Sequence, residues 1–215
     1  MTQFKVFIGF DPRQPLAYNV CRSSIERRTP DVEIKPLILK NLPMTRKGLT
    51  DFTYSRYLVP WLCGYKGYGL FLDSDMIVLS NLNELVPYME DIAVVKHPKL
   101  KFEWTSMILF NNEKCKILTP LYVESKQPQT LEWASQIGEL SSEWNHCVGY
   151  DKPRTNAKIV HFTQGIPYWL ETKNCEYSKE WFEEYNYMTH TVSWIELMGN
   201  SVHARPVWER LSKNG

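Results

Sequence analysis

The chain has 215 residues, 43% of them hydrophobic, with 25 Lys and Arg against 24 Asp and Glu. That length buries a sizeable core as one domain, or as one domain with a small appendage. A net charge of +1 excludes a global field that recruits nucleic acid. Five scattered cysteines without a Cys-x-x-Cys spacing point to neither a zinc site nor a disulfide framework. The N-terminus enters a strand with no signal peptide, and no apolar run is long enough to span a bilayer, so a cytoplasmic protein without a transmembrane segment is expected.

Residues 4–9 read as a first strand, broken by the turn-forming stretch Gly9-Phe10-Asp11-Pro12-Arg13-Gln14-Pro15. Helical spacing follows over 16–27, with Leu16, Val20 and Ile25 toward the sheet, and stops near Thr29-Pro30. A second strand over 32–38 completes a βαβ unit, which requires a parallel pair and a right-handed crossover. The first loop, which is not a Gly-x-Gly-x-x-Gly fingerprint, then lies at the carboxyl edge of the sheet. Residues 50–63 read as a helix capped by Thr50 or Asp51, with Arg56 inside it. Arg56 is an exposed helix arginine, or it faces the site and pairs with Asp73 or a phosphate.

Leu70-Phe71-Leu72 is a short buried strand running into Asp73-Ser74-Asp75, and Met76-Ile77-Val78-Leu79 is apolar again. Carboxylates at i and i+2 of an extended backbone point the same way, and their repulsion beside a buried strand needs a positive partner. A divalent cation that accepts hard oxygen ligands, manganese or magnesium, fits; the competing reading is an Asx turn or a helix cap. A short helix begins at Asn81, and strands are expected at 92–96 and 105–110. Helices are expected at 114–123, interrupted by Pro120, and at 131–140. A polar loop over 150–156 leads to a strand at 157–162 that carries His161. The turn-rich stretch after it, around Gly165, suits a metal ligand beside a phosphate-binding loop; the competing reading is a structural histidine. The tail from 180 to 215 has Trp181, Tyr185, Trp194, Leu197 and Trp208 placed to dock a helical pair.

The expected fold is α/β: a mixed, mainly parallel sheet flanked by helices, forming one domain over 1–180 with a helical extension over 181–215. Eight Trp and twelve Tyr fill core and edges or offer flat platforms to a sugar or base.

Six ordered blocks resemble family 8-like bacterial and phage glycosyltransferases of the GT-A fold. They are Phe7-Ile8-Gly9-Phe10-Asp11-Pro12-Arg13 with Ala17-Tyr18, Phe52 to Pro60 with its Tyr54-Ser55-Arg56, and Leu72 to Met76. Trp104 to Asn111, Gln136-Ile137-Gly138 with Glu143-Trp144-Asn145, and Val160-His161-Phe162-Thr163 complete the set, which spans Lys5 to about Trp181. The resemblance implies a GT-A-like, Rossmann-like sheet and a retaining transfer from a nucleotide-sugar, a UDP-sugar in the first place. The acceptor would be the hydroxyl of a saccharide, lipid-linked or protein molecule, with peripheral membrane contact allowed by a lipid-linked acceptor.

It implies Asp73, Asp75 and His161 as ligands of manganese or magnesium. Gly9, Phe10, Asp11, Tyr18, Tyr54, Arg56, Ser74 and Gly165 would contact the nucleotide and donor. Gln136, with Glu132 and Glu139 beside it, would face the far side of the sugar, and Trp104, Ser106, Trp144 and Asn145 the acceptor. Trp144 has a second reading as a core anchor, with Asn145 capping a turn. Two stretches depart from the family pattern. Gly165-Ile166-Pro167-Tyr168-Trp169 lacks the phosphate-binding lysine, and Thr105-Ser106-Met107 stands where Asn-Ala-Gly is usual. A sugar nucleotidyltransferase and a non-catalytic carbohydrate-binding module are the competing functional readings. The first would carry a glycine- and lysine-rich loop after the first strand, which is absent here.

Overall fold

The computed structural model describes residues 4–88, 92–190, 198, 201–206 and 209. The chain starts as expected: β1 (Phe4–Phe10), α1 (Pro15–Arg28) and β2 (Glu33–Ile38), with β1 and β2 parallel. Proline at the start of α1 costs no hydrogen bond, and Arg27 and Arg28 complement the dipole at its end. The expected helix over 50–63 is broken into α2 (Phe52–Ser55), a 3-10 turn (Arg56–Leu58) and α3 (Val59–Leu62). Pro60 has no N–H to return to the Arg56 carbonyl, so the helix tightens just before it.

β3 (Tyr68–Leu72) runs parallel to β1 and antiparallel to β6 (Met107–Asn111). Between them come β4 (Met76–Val78), a 3-10 segment (Leu82–Tyr88) and β5 (Ala93–Val95). The expected 114–123 helix starts only at Pro120, as α4 (Pro120–Ser125), capped by the Thr119 hydroxyl. The expected helix over 131–140 does not form. Leu131 is left-handed at φ 62°, closing a preceding 3-10 turn, and the segment ends in strand β7 (Gly138–Leu140). There Gly138 donates to the Ile92 carbonyl and β7 pairs with β5, so edge pairing overrides a weak helical pattern. β8 (His146–Cys147), β9 (Ile159–His161) and α5 (Ser178–Thr189) follow.

The large sheet has the order β2-β1-β3-β6-β5-β7 and mixes parallel and antiparallel pairs. Its central strands read as unbroken apolar runs because both faces are covered. On one face Val6, Ile8, Leu70 and Leu72 meet Tyr18, Cys21 and Ile25 of α1. On the other, Phe7, Phe71 and Ile108 meet Phe52, Tyr57, Leu58 and Val123. The second side of α1, with Leu16, Ala17 and Val20, packs on Ile77, Val160, Trp181 and Met188. Glu184 of α5 is buried between Arg27 and Arg28, at 2.9 and 2.7 Å, which ties α5 to α1. α5 straddles the expected boundary at 180/181; Trp194, Leu197 and Trp208 of the expected helical pair lie outside the described residues.

A three-stranded sheet, β4-β9-β8, brings the expected metal ligands Asp73, Asp75 and His161 into one place. β4 and β9 are antiparallel with Met76 opposite His161, and the Phe162 N–H donates to the Asp75 carbonyl at 2.9 Å. On the other flank the Asp73 N–H donates to the Ser106 carbonyl at 2.9 Å, which extends the β3–β6 pairing by one step. The Asp73-Ser74-Asp75 turn is therefore held by a different sheet on each side.

Candidate active site

The carboxylates of Asp73 and Asp75 and the His161 imidazole converge, with one ligand atom of each within 4.8 Å of the others. His161 Nε2 lies 3.2 Å from Asp75 Oδ1. Arg56 Nη2 lies 2.9 Å from Asp73 Oδ1, an ion pair without hydrogen-bond alignment that leaves this buried oxygen unsatisfied. The guanidinium is fixed by donating to the Thr105 carbonyl at 2.6 Å and the Phe52 carbonyl at 3.2 Å. Of the two readings of Arg56, the structure has the one that faces Asp73.

Burial pushes the Asp73 carboxyl up to about 7; Arg56 and His161 pull against it, while Asp75 and Glu103 add repulsion. Burial alone lowers the His161 pKa, but Asp75, Cys147 and Glu103 together hold it well above the ordinary value. Cations already at hand thus stabilise the carboxylate pair, and burial strains it. Ser74 is buried between the two aspartates with its hydroxyl unpartnered among the described residues.

The other expected contacts separate into groups. Gly9 packs under Phe52: a Cβ there would sit 2.4 Å from the ring. Phe10 and Tyr18 meet edge to face at 5.3 Å, and Tyr18 is buried, its hydroxyl pushed up to about 12 by desolvation. Asp11 is 1% exposed, and Arg13 donates to both its oxygens, at 2.9 and 2.6 Å. Asp11 also accepts from the backbone N–H of Asp51, and Arg13 reaches the Leu49 carbonyl, so this carboxylate ties two loops together. Tyr54 carries the Arg46 guanidinium 3.6 Å over its ring. Gly165 sits at φ 115°, where a side chain is strained, and its N–H donates to the Phe162 carbonyl.

On the expected acceptor side, Trp144 is 1% exposed in the core with the Lys158 ammonium 4.8 Å over its ring. Its position is that of the core anchor. Asn145 is fully buried and donates to Ser106 Oγ at 2.9 Å, and Ser106 Oγ donates to the Glu103 carbonyl at 2.7 Å. Ser106 and Asn145 are therefore braces beneath the Asp73 turn and reach no surface acceptor; their polarity serves a buried network. Trp104 is half-buried, its indole N–H on the His97 carbonyl, while Gln136, Glu132 and Glu139 are exposed around β7.

The sequence reading missed Glu103, His97, Cys147 and Asp151. Glu103 Oε2 is 3.4 Å from His161 Nδ1. Cys147 Sγ stands 3.6 Å from His97 Nε2 and 3.9 Å from His161 Nδ1, and Asp151 Oδ1 is 3.5 Å from His97 Nδ1. No local spacing marks these residues, because pairing between distant strands brings them together; the one available signal was a lone acid just before the block from Trp104 to Asn111.

No family model matches the chain. Solved structures with similar folds are glycosyltransferases. The bifunctional glycosyltransferase WbbM superimposes with a TM-score of 0.67 at 16% identity over 97% of this chain, which spans only about half (52%) of WbbM. The galactosyltransferase LgtC, solved with donor and acceptor sugar analogues, gives 0.62 at 12% identity, covering 89% of this chain and 98% of LgtC. GlyE of Streptococcus pneumoniae gives 0.63 at 17% identity, covering 92% of this chain and 66% of GlyE. The mixed sheet with its flanking helices is therefore a GT-A-like fold, as the sequence led us to expect. No helix among the described residues is long and apolar enough to cross a membrane. In sequence, the chain is 33% identical to Protein CDI of Arabidopsis thaliana, in a match that covers 85% of this chain and 87% of that protein. That name states no reaction, but the extent of the match shows kinship: the chain belongs to the family of Protein CDI.

Proposed function

We propose that the chain is a metal-dependent glycosyltransferase of the family 8-like kind, moving a sugar from a nucleoside-diphosphate sugar, UDP-linked in the first place, to a hydroxyl acceptor with retention. The observation that carries this reading is the convergence of Asp73, Asp75 and His161 at the junction of two sheets. The donor set fits a divalent cation. Two carboxylates and one imidazole suit manganese, or magnesium with more water in its shell, and Asp73 Oδ1, paired in charge with Arg56 but without an aligned hydrogen bond, keeps a lone pair to offer. Bound there, the cation would supply a Lewis acid for the departing diphosphate.

The chain's own residues do the rest. Asp73 and Asp75 hold position through backbone bonds on both flanks, and Arg56 keeps positive charge beside Asp73. Ser74 and the backbone of the turn at Gly165 offer donors to phosphate, in place of the lysine this chain lacks. The β1–α1 loop would receive the nucleoside through Phe10, Tyr18 and backbone groups; with Asp11 engaged by Arg13, direct recognition by that carboxylate is not part of the proposal. Trp104 and the exposed Gln136 are the acceptor- and sugar-side contacts we retain. A UDP-sugar drawn from the cytoplasm is the proposed donor, and a saccharide, lipid-linked or protein hydroxyl the acceptor.

The test is donor hydrolysis over a panel of nucleotide-sugars with manganese. At least one donor should turn over slowly with manganese and not with EDTA, and Asp75→Asn should fall to background with an unchanged melting temperature. Silence across the panel, or wild-type turnover by Asp75→Asn, contradicts the reading.

A further inference from the structure

His161 presents each ring nitrogen to an acid: Nε2 is 3.2 Å from Asp75 Oδ1 and Nδ1 is 3.4 Å from Glu103 Oε2. His161 carries both ring protons while its pKa is held high, so ligating a cation releases one of them; the imidazole then keeps one proton, and only the other nitrogen can act as ligand. Which nitrogen is free is decided by the acceptor facing its partner. At Nδ1 the Cys147 sulfur at 3.9 Å is within hydrogen-bond geometry, and the Glu103 carboxylate at 3.4 Å is a charge contact without that alignment; of the two, the carboxylate is much the stronger acceptor.

Glu103 is well fixed for this task. It is 8% exposed and stands in the 3-10 turn Lys101–Thr105. Its carbonyl accepts from the Ser106 N–H at 3.2 Å, Ser106 Oγ at 2.7 Å and Asn145 Nδ2 at 3.4 Å. The same turn provides the Thr105 carbonyl that holds Arg56 and the Ser106 carbonyl that holds Asp73. One short turn thus aligns the histidine from behind and the aspartate from the side.

We infer that Glu103 is a positioning residue that takes the Nδ1–H of His161 and so turns the Nε2 lone pair toward the Asp73–Asp75 pair. This rests on the reading of Asp73, Asp75 and His161 as a cation site. It adds a fourth residue, a non-ligating acid, whose removal weakens cation binding while all three ligands remain.

The test is manganese affinity, read as free manganese by electron paramagnetic resonance on the purified chain, with melting temperature beside it. Glu103→Ala should weaken manganese about 10- to 100-fold, the usual effect of losing an acid that orients a ligating histidine. Glu103→Gln should recover most of that, because its carboxamide oxygen still accepts from Nδ1–H. Cys147→Ala, which removes the weaker of the two groups facing Nδ1, should weaken manganese less than Glu103→Ala does. If Glu103→Ala does not fold, Glu103→Met, of similar length and without an acceptor, takes its place. Wild-type affinity in the variant without an acceptor overturns the inference, as does an equal loss in that variant and Glu103→Gln that follows the melting temperature. If the wild type and His161→Ala bind manganese alike, the cation site itself fails and this inference falls with it.

Discussion

At the scale of single residues, the site is a balance of buried charge. Asp73 is desolvated, and Arg56 is its only ion-pair partner among the described residues besides the nearby His161. Breaking a buried pair by removing one member costs about 3–5 kcal/mol, because the other charge is left behind. Arg56→Ala should therefore lose stability of that order in urea denaturation; a change near zero would mean that solvent already screens the pair. Trp144 decides between its two readings in the same way. As the core anchor the structure describes, Trp144→Ala should cost about 3–5 kcal/mol and lower donor hydrolysis and transfer together. A variant that melts normally and loses transfer alone would restore the acceptor role.

His203 is an independent pH probe. It is buried beside the Trp169 ring, at 5.1 Å, and desolvation lowers its pKa from 6.5 to about 4. Between those values the unfolded chain binds the proton and the folded chain does not. The His203 contribution to stability then falls as pH drops through this window and stays level above it, by about 3 kcal/mol in all. Asp73, pushed up to about 7, acts in the opposite direction over the same window, so the difference between variants isolates His203: between pH 7 and pH 4.5 in urea titrations the wild type should lose stability relative to His203→Phe, and equal changes in the two would remove His203 as a cause.

At the scale of elements, what was legible in the sequence is what local pattern encodes. β1, α1, β2 and β3 emerged close to their expected places because an apolar run, a proline start and a basic helix end act within a few residues. The stretch 131–140 misled because its fate depends on β5: Gly138 to Leu140 pair with Ala93 to Val95, and no pattern within the stretch announces a partner. The helix around Arg56 was readable in extent, and its break over Arg56–Leu58 follows from Pro60, which has no N–H to give to the turn before it. Gly9 carries a message that sequence could only half express. It ends a strand, and the structure adds that the Phe52 ring fills the space of a Cβ, 2.4 Å away. Gly9→Ala should accordingly cost about 1–3 kcal/mol through overpacking, measurable by thermal unfolding; a neutral change would show that α2 shifts freely.

At the scale of the whole molecule, the site exists because two sheets meet at one turn. Asp73 and Asp75 were visible as carboxylates out of place in an apolar stretch, and His161 as a histidine ending a strand. Their union depends on the β4–β9 register, Met76 opposite His161, which only the folded chain supplies. Glu103 and Cys147 reach His161 from two further segments, which is why the sequence hid them. The convergence of Asp73, Asp75 and His161 on this GT-A-like sheet is the ground for the central proposal, that a divalent cation held by this chain binds a nucleoside diphosphate. Calorimetric titration of UDP into the wild type and Asp75→Asn, with manganese and with EDTA, tests it most directly. The account predicts heat of binding only for the wild type with manganese. Equal binding by Asp75→Asn, or UDP binding indifferent to EDTA, would contradict it.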